Sequence, residues 1–282
     1  MAKPQLIHNK LRHIRQEIRF LTGLNLRKTK LRYLDTRLRR LLGNYLARYE
    51  QIDAPYVYRV RPNDGREQYE TIEQLWYPRD PTLVKRFGRA NYPNRPVFYC
   101  SDSPNTALIE QKINEPGDSY TILTCERMNR AEHPVVLEIG VNDVTGRFNP
   151  RLGGDRPHPR VAVAEFLNDD YEFRKYTLFQ DFLINQFTKL VGPEDDHLYK
   201  ITAVITEQIL SKTGVDGICF PSVQSDFKGV NVAFTTQASD RLYRPIQCKV
   251  VRVTEIIGHP AYRIAPILES EPIRRDGKIE WR

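Results

Sequence analysis

The chain has 282 residues, 40% of them hydrophobic and 28% charged, with four widely spaced cysteines that form no C-x-x-C pair. That length buries a full core without disulfide or metal support. No stretch approaches the roughly 20 consecutive apolar residues of a membrane span, and the basic N-terminus lacks the continuous apolar run of a secretory signal, so a cytoplasmic chain with no membrane partner is expected.

The net charge of +8 is concentrated at one end. The first fifty residues hold 13 Lys/Arg against Glu17, Asp35 and Glu50, and the remainder is slightly acidic. Within this segment Leu11, Ile14, Ile18 and Leu21, and then Leu31, Leu34, Leu38 and Leu41, recur at helical spacing. Thr22-Gly23-Leu24-Asn25 breaks the pattern, which predicts a basic helical hairpin of residues 5–21 and 29–48 inside a unit of residues 1–52. Three readings of it stay open: leucine stripes packed on each other or on the body, a partner-binding or homodimerising arm, and a nucleic-acid contact giving phosphate affinity without sequence readout.

Residues 53–282 have a different texture. Strands are predicted at 56–60 and 97–100, with Leu75-Trp76-Tyr77-Pro78 as an aromatic-anchored loop between them. Ser103-Pro104 opens a helix over 106–113, with proline at its first position. Strands follow at 121–125 and 135–139, then a Gly/Pro/Arg-rich loop at 147–160. Helices are predicted at 171–190 and 198–212, the second stopped by Gly214. The last strands fall at 217–220, 230–234 and 250–254. The absence of a G-x-G-x-x-G turn or a P-loop disfavours a doubly wound nucleotide fold, and an α+β domain with mainly antiparallel strands fits better.

Cys100, Cys125 and Cys219 lie in or beside apolar runs and read as buried reduced thiols. Glu194-Asp195-Asp196-His197 precedes a helix, where acids complement the dipole. The histidines lack ligand spacing, so no metal is expected.

Several polar residues interrupt the strand-like runs. Arg59 and Arg61 share one face of the first strand and need either an anion or solvent; arginine's planar fork suits pyrophosphate oxygens. Tyr58 and Tyr99 are either core tyrosines or faces for stacking on a cationic ring. Glu110 follows Ala107-Leu108-Ile109, where a carboxylate ordinarily marks the polar side of a helix. Ser222 follows Pro221, which ends the strand ladder and turns the next residue outward; it is either an ST-turn residue or a hydrogen-bonding group. No nucleophile elbow surrounds it. Arg86 and Arg89 are either surface charges or phosphate contacts.

Taken in order, Tyr58-Arg59-Val60-Arg61-Pro62, Pro96-Val97-Phe98-Tyr99 with Ala107-Leu108-Ile109-Glu110, and Phe220-Pro221-Ser222 resemble the RES domain family, named for its arginine, glutamate and serine. The resemblance covers residues 55–255. It includes Arg86-Phe87-Gly88-Arg89-Ala90-Asn91, Tyr199-Lys200-Ile201-Thr202, Val215-Asp216-Gly217-Ile218 and Gly229-Val230-Asn231-Val232-Ala233. It implies an ADP-ribosyltransferase-like pair of mainly antiparallel sheets with flanking helices around an NAD cleft, the hairpin lying outside the family pattern. The implied roles put Arg59 on pyrophosphate, with Arg61 and Arg89 as further candidate phosphate-binding groups. Tyr99, or Tyr58, lies against nicotinamide, Glu110 at the ribosyl carbon and Ser222 on nicotinamide or its ribose, with Asn231 bracing the site. The implied activity is that of a bacterial toxin-like NAD glycohydrolase or phosphorylase, NAD being substrate, with an antitoxin as a possible partner. A mono-ADP-ribosyltransferase acting on protein or nucleic acid, and a catalytically silent nucleotide- or nucleic-acid-binding module, are the alternatives.

Overall fold

Two amphipathic helices, α1 (Leu11–Thr22) and α2 (Leu31–Leu42), form the expected hairpin. The computed structural model describes residues 10–43, 45, 47, 49–111, 113, 115–145, 159–192, 194–258, 260–274 and 276–282, so the predicted start of the hairpin lies outside them. The second helix is shorter than its leucine period suggests and ends at Gly43, a residue of low helix propensity that keeps a right-handed conformation at the cap. Next come the strands β1 (Tyr49–Gln51) and β2 (Tyr56–Pro62), the short helix α3 (Ile72–Leu75), strand β3 (Phe98–Ser101) and helix α4 (Pro104–Ile109). Ser103 caps α4 by accepting the backbone N–H of Thr106.

Strands β4 (Ser119–Arg127) and β5 (Val135–Glu138) precede helices α5 (Val141–Thr145), α6 (Pro159–Leu167), α7 (Asp170–Phe187) and α8 (Lys200–Leu210). Most of the loop expected at 147–160 lies outside the described residues; its last two residues belong to α6. Strands β6 (Gly217–Pro221) and β7 (Val230–Phe234), helix α9 (Thr236–Leu242), and the long strands β8 (Tyr243–Gly258) and β9 (Ala261–Glu269) complete the fold. The strand expected at 250–254 is thus the middle of β8.

The strands run in the order β1-β5-β6-β7-β3-β2-β4-β8-β9. Every pairing is antiparallel except β5 with β6. The expected two sheets are hydrogen-bonded as one ladder, but its halves meet at β2 and β3 in the single pair Tyr58–Ser101. Beyond that pair the two halves part. Strand alternation sorts the side chains near this junction. Tyr58, Tyr99, Ser101, Asn231 and Phe220 share one face; Val57, Arg59, Phe98, Cys100, Cys219 and Val232 share the other.

The leucine stripes are packed on the body. Ile14, Leu21, Leu34, Leu38 and Leu41 are buried in one cluster with Phe179, Phe182, Leu183 and Phe187 of α7 and Ile201, Val204 and Ile205 of α8. The hairpin therefore shares its core with the sheet, and its apolar side is covered within the chain. The opposite sheet face packs Val57, Phe98, Cys100, Leu123 and Val232 against Leu75, Trp76 and Tyr77, so the aromatic loop anchors as expected. All four cysteines are buried free thiols.

Candidate active site

Glu110 caps the C-terminus of α4, and its carboxylate is the point at which three other segments converge. Ser222 Oγ donates to Glu110 Oε1 at 2.5 Å, and Asn231 Nδ2 donates to the same oxygen at 2.9 Å. The Tyr99 hydroxyl donates to Oε2 over a longer 3.4 Å. The carboxylate is thus held asymmetrically, with one oxygen doubly bonded and the other lightly engaged.

Each donor is itself oriented. Ser222 lies one residue past β6 and is fully buried. Its Oγ accepts the backbone N–H of Ser225 at 3.2 Å, which directs the hydroxyl proton toward Glu110. The expectation that Pro221 turns Ser222 outward is corrected here. The β6–β7 ladder runs through the Pro221–Val230 pair, and the Ser222 N–H then bonds the Gly229 carbonyl at 2.8 Å, so the chain curls inward. Asp226 and Phe227, with φ of 50° and 62°, complete that left-handed turn. On β7, Asn231 Oδ1 accepts Ser101 Oγ at 2.7 Å, which fixes the amide so that its NH₂ faces Glu110.

Gly229 makes the close approach possible. A Cβ there would stand 2.1 Å from Thr106 Oγ1 and 2.5 Å from its Cγ2, far inside van der Waals contact. Without side-chain bulk at 229, α4 lies against the β6–β7 turn and delivers Glu110 to Ser222.

Tyr99 projects from β3 with its ring tilted against Phe220 at 5.9 Å between centroids. Burial first, and then the Glu110 charge, push its phenol well above its ordinary value, so it remains a proton donor. Tyr199 joins this neighbourhood. Its phenol is raised by burial, lowered by Arg89 and raised again by Glu110. The Arg89 guanidinium lies 5.1 Å over the Tyr199 ring and donates to the carbonyls of Phe187 and Lys189, closing the end of α7.

The other predicted residues lie elsewhere. Arg59 and Arg61 occupy the opposite sheet face. Arg59 Nε donates to the Leu75 carbonyl at 2.9 Å and Nη1 to the Tyr99 carbonyl at 2.6 Å. Arg61 Nη2 donates to the Trp76 carbonyl at 2.9 Å. Burial, reinforced by Arg61, pulls the Arg59 guanidinium down to about 9, still a cation at neutral pH. Arg59 is therefore connected to the Glu110 group through the backbone of Tyr99, in the gap where β2 and β3 part. Tyr58 packs against Val60, Leu108 and Tyr120 and lines a cavity of about 430 Å³ with Asp53, Pro55, Val57, Pro104 and Val230. Arg86 reaches Glu194 at 3.9 Å on the surface.

Sequence reasoning assigned no role to Ser101, Thr106, Ser225 or Tyr199. The first three orient neighbours through bonds a sequence does not display. Tyr199 carried a signal, the segment 199–202, but nothing that tied it to Glu110. Asp195 and Asp196 serve as ties, to Arg27 at 3.6 Å and to the Phe87 N–H at 3.4 Å. Among the described residues no three His, Cys, Asp or Glu side chains cluster as metal ligands, and no described helix is long and apolar enough to cross a membrane.

The RES domain model matches residues 56–254, and the chain belongs to the RES domain family. That family is associated with NAD-related toxin–antitoxin systems and with NAD processing. No curated protein matches the sequence.

Proposed function

We propose that this member of the RES domain family is an NAD-consuming enzyme that breaks the bond between nicotinamide and ribose. The observation that carries the reading is the Glu110 carboxylate, gripped at Oε1 by Ser222 and Asn231 while Oε2 keeps only the long contact with Tyr99.

In the proposed reaction the bond from the ribosyl C1′ to the nicotinamide nitrogen breaks, and its electron pair leaves with nicotinamide. The ring is cationic in NAD and departs neutral, so no acid is needed to protonate it. Positive charge develops at C1′, where a fixed carboxylate stabilises it. An oxygen of water or phosphate then bonds to C1′; the proton of an attacking water passes to the Glu110 carboxylate and on to solvent, whereas an attacking phosphate oxyanion has none to lose. Oε2 is the oxygen proposed to face the ribosyl centre. Ser222 and Asn231 act as positioning residues, so that Glu110 need not reorganise as charge develops. Tyr99 supplies the proposed aromatic contact to nicotinamide, and Arg59 holds Tyr99 through its carbonyl; its sequence-based role on pyrophosphate is a separate proposal. Arg89 and Tyr199 complete the polar surroundings.

The test is nicotinamide release from NAD by the purified protein, with and without phosphate, alongside Glu110→Gln. We expect release by the wild type and a loss of at least about a hundredfold in the variant, the scale for removing a pre-organised electrostatic group, with circular dichroism unchanged. ADP-ribose as product identifies hydrolysis, and a phosphate-dependent phosphorylated product identifies phosphorolysis. Full turnover by Glu110→Gln overturns the assignment.

A further inference from the structure

We propose that the outward face of the α1–α2 hairpin is a docking surface for single-stranded nucleic acid. The apolar stripes of both helices point into the body, and helical periodicity turns Arg12, Arg19 and Phe20 of α1 and Arg32, Tyr33 and Arg40 of α2 to the opposite, exposed side. The acids of residues 10–43, Glu17 and Asp35, are half-buried and already paired, with Arg37 at 2.6 Å and Arg39 at 3.2 Å. Among the described residues, no carboxylate lies within ion-pair distance of Arg12, Arg19, Arg32 or Arg40. Among the described residues the face is a field of arginines without carboxylate partners, on a chain whose remainder is slightly acidic.

Two exposed rings sit within that field. Phe20 is 42% exposed and Tyr33 45% exposed. Arg37, clamped by both oxygens of Glu17, places its guanidinium 4.4 Å from the Phe20 centroid and 5.8 Å from that of Tyr33. Both rings thus lie against the same cation. Cations that track a phosphate backbone, together with rigid aromatic faces that stack on bases, are the two components of sequence-tolerant single-strand binding. The platform is firmly seated: Lys200 Nζ donates to the carbonyls of Leu26 at 2.7 Å and Thr29 at 3.1 Å in the hairpin turn.

An anionic membrane suits this face less well. A helix that lies on a bilayer inserts its apolar side, and here that side is buried in the core. Arginine's fork matches phosphate oxygens, and exposed rings suit bases better than they suit an acidic peptide. None of these residues belongs to the Glu110 constellation, so the inference stands or falls independently of the NAD reading.

The experiment measures fluorescence anisotropy of labelled oligo(U) and oligo(dT), each about two dozen nucleotides long, with the full chain between about 50 and 200 mM salt. Four phosphates engaged by four arginines give a slope of about −3 in log K against log salt, a loss on the order of 50-fold across that range. Replacing Arg12, Arg19, Arg32 and Arg40 together by serine should abolish the salt dependence with the binding. Phe20→Ser with Tyr33→Ser should weaken binding by at least about fivefold and leave the salt slope in place. Polyglutamate and phosphatidylserine vesicles serve as the rival partners. The proposal is overturned if the oligonucleotides fail to bind at the lowest salt, if the arginine variant binds like wild type, or if either rival probe binds more tightly.

Discussion

Replacing Ser222 by alanine removes one fully buried hydroxyl and separates two accounts of the site. If Ser222 holds Glu110, as its 2.5 Å bond to Oε1 indicates, the loss falls on catalysis. If it touches nicotinamide or ribose directly, as the family order implies, the loss falls on binding. A hydrogen bond to a charged partner contributes about 1.5–3 kcal/mol. At about 1.4 kcal/mol per tenfold in rate, complete transfer of that loss to the transition state lowers kcat by roughly 10- to 100-fold. Asn231 retains its own 2.9 Å bond to the same oxygen, so Ser222→Ala with Asn231→Ala should be non-additive relative to the single variants. The assay is initial-rate nicotinamide release over a range of NAD concentrations. We expect kcat to fall and KM to stay within about threefold, the signature of an interaction made in the transition state. A raised KM with unchanged kcat would refute the positioning role and return Ser222 to the ligand.

Two further predictions follow from buried contacts. Gly229→Ala places a methyl group against Thr106, so α4 must move and carry Glu110 with it. Overpacking of this kind costs about 1–3 kcal/mol, and both denaturant stability and NAD turnover should drop. Thr106→Ala in the same chain should restore part of each, and a Gly229→Ala protein of wild-type activity argues against the close-approach role. Glu138, on β5, is 8% exposed, and burial pushes its carboxyl from 4.5 up to about 7 despite the backbone N–H groups of Val141 and Asn142. The folded chain therefore holds this proton more tightly than the unfolded chain. The associated stability is complete below pH 4.5 and is lost as pH rises through 7, by on the order of 3 kcal/mol. Glu138→Gln keeps an acceptor and cannot ionise, so urea titrations should show a flatter profile between about pH 5 and 8; an unchanged profile removes Glu138 as its source.

What was legible in the sequence was whatever has a short period or a fixed local chemistry. Short strand-like apolar runs located β2, β3, β6 and β7 within a residue or two, and the leucine period found α1 and α2. Ser103-Pro104 marked the start of α4. The elements that escaped, β1, α3, α5, α6, α9 and β9, are short, lack a strong period or sit at a sheet edge, where half-exposed residues blur the alternation. β9 mixes exposed Ile264 and Ile267 with polar neighbours. The end of α2 was misjudged because apolar and basic residues continue past Gly43, and a cap outweighs composition.

For the site, the sequence determined which residue types occur and in what order. Arg59, Tyr99, Glu110, Ser222 and Asn231 are recognisable as a series along the chain. Which of them touch was decided only by the tertiary structure. The bonds that hold Glu110 span 112 and 121 residues, and such contacts are set by ladder register and by the absence of a side chain at Gly229. Alternation across the β2–β3 junction put Arg59 on the face away from Glu110, and the inward curl after Pro221 buried Ser222. A local pattern fixes the side on which a residue emerges from its own element; the partner on that side depends on how distant elements pack, and a linear sequence does not state that.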